Sequence, residues 1–211
     1  MVQKSPRTGR PREFEPEAAV DAAMRLFWTR GYEATSLEDL EEHTGLSRSS
    51  LYNTFGSKRE LFDQAVSRYL AVLDDVLLGP LESGGEGLAD LDRFIDRLGT
   101  QLDGPGIIAG CLLTNSLVEF GGLDEGVVRQ GHAYLDRARR AIRAALTRAA
   151  DRGEIVASTV EPRSELLVGL VLSINLVARS GLGKPAFSAL IEAVHAGIGD
   201  WVKPSRRHPE A

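Results

Sequence analysis

Apolar residues recur every three to four positions through most of this chain, and no stretch holds the apolar–polar alternation of a half-buried strand. The pattern predicts an all-α protein. Behind Pro16, a residue suited to a helix's first turn, Ala19, Ala22, Ala23, Leu26 and Phe27 form one stripe that Gly31 closes. Leu61, Ala65, Tyr69, Val72 and Val76 place a long fourth helix over 58–78, which Gly79-Pro80 and the glycines from Gly84 to Gly87 then break. Further helices are expected over 88–102, 107–120, 124–152, 162–180 and 185–202, each set off by Gly- or Pro-bearing segments. The layout is a three-helix head joined through helix four to a helical bundle.

Between the first and fourth helices, residues 35–62 read TSLEDLEEHTGLSRSSLYNTFGSKRELF. Thr35 or Ser36 can cap a helix, with Glu38 or Asp39 three residues on completing a capping box in either register. Leu37 and Leu40 share a face. Gly45 stands where a left-handed helix end is wanted, Leu46 is the apolar residue of the turn, and Ser47 can cap the next helix. That is a helix-turn-helix. In its second helix Leu51 and Phe55 sit four apart and point inward, while Arg48, Ser49, Tyr52 and Asn53 point elsewhere with donors, acceptors and a phenol. Such groups suit base edges and phosphates in a major groove. A lysine that opens a helix opposes the macrodipole, so Lys58 suggests an external anion. The expected DNA-facing set is Thr35, Ser47, Arg48, Ser49, Tyr52, Asn53 and Lys58, with Thr35, Tyr52 and Lys58 mainly on the phosphate backbone.

From Gly9 to Phe62 the segments GRPREF, AAMRLFWTRGYEATSLEDL and GLSRSSLYNTFGSKRELF resemble the DNA-binding domain of the TetR/AcrR repressors. The resemblance implies a homodimer on double-stranded operator DNA, with a C-terminal domain that answers a small-molecule effector. One position departs: many relatives carry histidine where this chain has Asn53, which either reads a base or binds a backbone oxygen. The resemblance also makes the last two long helices a dimer bundle. Gly169, Ser173, Ala193 and Gly197 would permit close approach there, and Leu170, Ile174 and Ile191 would seal it. Independently, the run over 166–178 is apolar around most of its helix and needs burial on more than one side.

Helices that surround the ligand cavity in relatives supply Phe94, Leu98, Leu112, Asn115, Glu119, Phe120, Tyr134 and Asn175 as candidate lining residues. Most of these also read as ordinary core. Asn115 and Asn175 stand out because an amide in an apolar run needs a partner, which a ligand or an interhelical or dimer-interface hydrogen bond would supply equally well. Cys111, in Gly110-Cys-Leu, resembles a subgroup of these repressors in which some members sense electrophiles or oxidants. Its apolar neighbours Ile107, Ile108, Leu112 and Leu113 favour packing around an inert thiol over a sensor.

Composition narrows the function further. Net charge is −5 over 211 residues, so any nucleic-acid surface must be local. Lys4, Arg7, Arg10 and Arg12 supply such a locality, as a solubilising tail or as an arm that folds into a minor groove. The expected layout is an arm at 1–12, the helix-turn-helix unit at 13–60, a ligand and dimer bundle at 61–203 and a tail at 204–211. No secretory apolar core begins the chain, and the apolar run over 166–178 is too short to span a bilayer, so a cytoplasmic protein without a membrane partner is expected. Cys111 is the single cysteine and excludes an intramolecular disulfide framework. His43, His132, His195 and His208 lie apart, and neither a phosphate loop nor a nucleophile elbow appears. No metal, no cofactor and no enzyme activity are therefore expected. The functional classes in play are a ligand-sensing repressor, a constitutive or architectural DNA-binding protein, and an enzyme on a degenerate head; the apolar C-terminal bundle favours the first.

Overall fold

A computed structural model of the protein describes residues 15–102, 110–121 and 123–202; the arm expected at 1–12 and the tail at 204–211 lie outside them. Among the described residues every regular element is helical. Helix α1 (Pro16–Arg30) buries Ala19, Val20, Ala23, Leu26 and Phe27 and ends at Gly31, whose φ of 91° few side-chain-bearing residues adopt. Helices α2 (Leu37–Thr44) and α3 (Arg48–Phe55) form the helix-turn-helix, and α1 lies along α4 (Lys58–Leu73). The buried line of α4 passes through Leu61, Ala65, Tyr69 and Leu73, while Val72 remains half-exposed.

The expected break at Gly79-Pro80 does not occur. After Leu73 the chain takes a wide π turn over Asp74–Leu78 and runs straight into α5 (Gly79–Ser83); the helix stops only at Gly84. The Gly79 N–H bonds the Asp74 carbonyl, five residues back. This turn draws apart the Pro80 ring and the Val76 carbonyl that an unbroken α-helix would press together. Glycine is required at position 79 because a Cβ there would stand 2.9 Å from the Asp74 carbonyl oxygen. A Gly-Pro pair thus marks a change of helix pitch here rather than a loop.

Helices α6 (Leu88–Leu102), α7 (Leu112–Phe120), α8 (Glu125–Asp151), α9 (Val160–Arg179) and α10 (Gly183–Gly199) complete the body. Of the helix expected over 107–120, positions 107–109 lie outside the described residues, and Gly110 and Cys111 are not helical. Gly110 has φ 68° and Cys111 is extended, so α7 begins at Leu112. Along α8 runs α9, and α10 crosses both α6 and α9. Head and body meet on a cluster of rings. Phe27 and Phe62 lie 5.2 Å apart edge to face, Tyr32 and Phe62 5.0 Å, and Phe120 of α7 reaches Phe62 at 5.7 Å. Phe27 and Phe62 are fully buried. Burial of one such side chain contributes about 1.5–3 kcal/mol, against about 0–1 for an exposed ion pair, so the rings rather than the surrounding charges hold the head to the body.

One face of α9 is left uncovered by the other described residues. Leu166 is 52% and Leu176 68% exposed, and no described residue comes within 4 Å of where a Cβ on Gly169 or Gly197 would stand. Ile174 is a correction: expected at an intersubunit seal, it is fully buried in the chain's own core, and Ile191 packs toward Gly99 of α6. Apolar residues encircle α9, so periodicity alone did not separate its inner line from its outer one.

Candidate nucleic-acid interface and adjoining cavity

The head is built on capped ends. Ser36 Oγ accepts the Asp39 N–H at 3.1 Å and Asp39 Oδ2 accepts the Ser36 N–H at 2.9 Å, closing the capping box in the second of the two registers open in the sequence. Hydrogen bonds from Ser36, joined by Arg30, hold the Asp39 carboxyl down to about 2. Gly45 takes the left-handed conformation, φ 70°, and Ser47 Oγ accepts the Ser50 N–H to start α3. Leu51 and Phe55 are buried. That anchoring turns Arg48, Ser49, Tyr52 and Asn53 outward, all exposed, with Ser47 beside them. The Arg48 guanidinium makes no ion pair with any described residue, whereas its backbone N–H donates to Glu41 Oε1 at 2.5 Å.

Two of the expected DNA-facing residues turn their side chains toward the protein itself. Thr35 is a correction: it is fully buried and its hydroxyl donates to the Gly31 carbonyl at 2.6 Å, so it braces the turn after α1 and cannot reach a phosphate. Ser36, its neighbour, took the cap. Lys58 is half-buried with its Nζ 4.3 Å from the centroid of the Tyr32 ring, which answers part of its charge inside the protein.

Polar bonds span the joint between head and body. The Trp28 indole N–H donates to the Gly110 carbonyl at 2.6 Å, and Arg179 of α9 donates to the Trp28 and Thr29 carbonyls at 3.2 Å each. Glu119 of α7 accepts the Tyr32 N–H at 3.0 Å and the Glu33 N–H at 2.7 Å. Arg59 of α4 pairs with Asp124 at the start of α8 and with Asp63 at 2.9 Å; its guanidinium holds the Asp124 carboxyl well below the usual carboxylate range. Glu119 was expected to line a ligand cavity, and here both its oxygens are occupied by the head.

An internal cavity lies between α4, α6, α8 and α9. Phe94, Leu98, Cys111, Tyr134 and Asn175 line it together with residues such as Tyr69, Leu73 and Ile142, and no charged side chain among the described residues takes part. It encloses about 40 Å³, room for little more than a water molecule. Leu112, also expected here, is fully buried outside this wall, and Asn115 instead lines an open groove of about 340 Å³ with Arg30, Glu119 and Arg179. Thr114 and Asn175 border both spaces. Cys111 is buried at the N-terminus of α7. Beside it, burial first, then the Cys111 thiol, pushes the Tyr69 phenol well up.

The model for bacterial regulatory proteins of the tetR family matches residues 19–65, and that for a tetracyclin repressor-like C-terminal domain matches 87–186. The HTH-type transcriptional repressor ComR of Escherichia coli (strain K12) is 34% identical over 188 residues, covering 85% of this chain and 86% of ComR. The chain belongs to the TetR family. A second TetR-type relative, the uncharacterized regulator YezE of Bacillus subtilis (strain 168), is 33% identical over 147 residues, covering 70% of this chain and 76% of YezE. Among solved TetR-family structures, a cysteine-substituted form of CifR complexed with a 26-bp double-strand operator DNA has a TM-score of 0.74 at 25% identity. It covers 92% of this chain and 100% of that one.

As a TetR-family protein the chain is a DNA-binding transcriptional regulator, and the match to the family's N-terminal model falls on the capped helices just described. Among the described residues no helix is long and apolar enough to cross a membrane, and no group of three or more His, Cys, Asp or Glu side chains is placed to hold a metal ion. The bonds from Trp28, Arg59 and Arg179 across the joint went unread in the sequence. The pairs they form are separated by 82, 65 and about 150 residues, a distance over which no local pattern speaks.

Proposed function

We propose that the protein is a ligand-responsive repressor that binds an inverted-repeat operator as a homodimer and leaves it when a small molecule occupies the cavity of the body. The observation that carries this reading is the position of Gly110-Cys111. Cys111 lines the cavity, while the carbonyl one residue earlier holds the Trp28 indole of α1. Widening the cavity therefore pulls on the first helix of the head as well as on α4, which carries Tyr69 and Leu73 into the same wall. A coupling of about 1–3 kcal/mol would change operator occupancy roughly 5- to 150-fold.

Ser47, Arg48, Ser49, Tyr52 and Asn53 form the DNA-facing edge in this proposal, with Lys58 a phosphate contact at its margin. The uncovered apolar face of α9, with Leu166, Gly169 and Leu176, supports assembly through α9 and α10. Without a membrane-crossing helix among the described residues, the protein reaches DNA in the cytoplasm.

A second reading, release through modification of Cys111, rests on that thiol's place in the cavity wall. Its burial favours the noncovalent reading, because a redox-reactive thiol needs access. One experiment separates the readings: operator binding by wild type and Cys111→Ser, each with and without an alkylating agent or mild oxidant. Equal responses by both proteins support the noncovalent switch; release of wild type alone establishes the thiol switch. Operator affinity that no small molecule alters would leave a constitutive DNA-binding protein.

A further inference from the structure

Asn175 is only 6% exposed, and one of its polar atoms has no partner among the described residues. Its Nδ2 donates to the Val171 carbonyl at 2.8 Å. That carbonyl only accepts, so the amide cannot be turned over, and Oδ1 is the orphan. A buried acceptor without a donor costs about 1–3 kcal/mol. The residue sits where the apolar cavity and the outer groove share a wall, with Thr114 beside it. Among the described residues the cavity's lining carries no charge. A carboxylate or ammonium drawn into it would lose its hydration and find no counterion.

We propose that the effector is a neutral, largely apolar molecule with a single hydrogen-bond donor, a phenol or alcohol, which enters from the groove past Thr114 and donates to Asn175 Oδ1. This rests on the ligand-responsive reading and adds the ligand's chemical class and its polar anchor. The apolar body lies among Tyr69, Leu73, Phe94, Leu98 and Ile142. At about 40 Å³ the cavity admits such a body only if its walls part, α4 among them. The donor end stays at the partition, one turn from Arg179, whose guanidinium holds the end of α1. Entry past that point thus strains two of the links between body and head, α4 and the Arg179 bonds to the end of α1.

Calorimetric titration of the full chain with p-cresol, toluene and p-toluate tests the assignment. These share a methylbenzene body and differ in a donor hydroxyl, nothing, or a negative charge. p-Cresol is expected to bind roughly three- to tenfold more tightly than toluene, the ratio one net hydrogen bond supplies, and p-toluate to be excluded. In Asn175→Leu the cresol advantage should vanish while toluene binds at least as well. Ala138→Leu, which narrows the cavity from α8, should weaken both neutral probes, and melting curves verify that each variant is folded. Equal binding of cresol and toluene to wild type, an advantage that survives Asn175→Leu, or binding of p-toluate in the cavity would overturn the proposal. So would no binding by any probe. Operator titration with the same probes tests the parent reading separately. Cresol binding at Asn175 without loss of operator affinity would sustain the site and remove the switch, whereas release only by charged compounds would sustain the switch and remove this ligand class.

Discussion

Arg48 and Lys58 differ in what already answers their charge. The Arg48 guanidinium has no ion-pair partner among the described residues, while Lys58 lies over the Tyr32 ring. A guanidinium in the groove can pair bidentately with guanine, and Lys58 at the margin can only neutralise a phosphate. Arg48→Ala should cost roughly 1–3 kcal/mol at particular base pairs. Lys58→Ala should weaken specific and nonspecific DNA alike and flatten the salt dependence by about one phosphate. Binding titrations at several salt concentrations on operator variants check both; a changed base preference with an unchanged salt slope in Lys58→Ala would reverse the assignments. Asp39 gives a pH test. Its folded pKa is held at about 2, below the ordinary 3.8. The stabilisation is therefore complete above the ordinary value and disappears as pH falls from about 3.8 toward 2. The melting temperature of wild type should exceed that of Asp39→Asn at pH 6, with the gap closing over that window. A gap that widens on acidification would contradict the capping-box account.

At the scale of elements, the wide turn between α4 and α5 makes a sign prediction. Alanine usually stabilises a helix relative to glycine by about 0.5–1 kcal/mol. At position 79 its Cβ would sit 2.9 Å from the Asp74 carbonyl oxygen, so Gly79→Ala should lower the melting temperature instead. A rise would mean the turn relaxes freely. The Trp28–Gly110 bond makes a second prediction. Trp28→Phe retains a ring against Tyr69, whose centroid lies 5.4 Å away, but leaves the Gly110 carbonyl unpaired. Hydrogen exchange should quicken at the start of α7 while α10 keeps its protection; unchanged exchange in α7 would show that the bond does not tie it to α1.

What could be read from the sequence at this scale was local. The caps at Ser36 and Ser47 and the outward set on α3 follow from spacing within a few residues. Thr35 and Ser36 are chemically alike as caps, so only packing could show that one is buried beneath Gly31. Glu119 looked like a cavity residue because its helix is a cavity helix. Its partners, the N–H groups of Tyr32 and Glu33, lie 87 and 86 residues away. Gly79-Pro80 reads as a break by residue type, and only the carbonyl geometry upstream turns it into a change of pitch.

The whole molecule joins a head that presents polar side chains to a body with a small apolar cavity, and assembly is what would turn one reading helix into two. If α9 and α10 meet their copies across a two-fold axis, a charge on the uncovered face should separate subunits without unfolding them. Leu166→Glu, at a 52% exposed site, should sediment as a folded monomer with much weakened operator binding. Ile174→Glu, at a fully buried site, should unfold the chain instead. A Leu166→Glu protein that remains dimeric would move the interface elsewhere. The central claim, that α3 reads DNA through Arg48 and its neighbours from a two-fold assembly, is tested most directly by hydroxyl-radical footprinting. Wild type and Arg48→Ala would be laid on the DNA upstream of the protein's own gene. The expected result is two protected half-sites whose centres lie about 10 base pairs, or a multiple, apart, with protection lost in a folded Arg48→Ala protein. A single protected half-site, or a footprint that Arg48→Ala leaves intact, would contradict it.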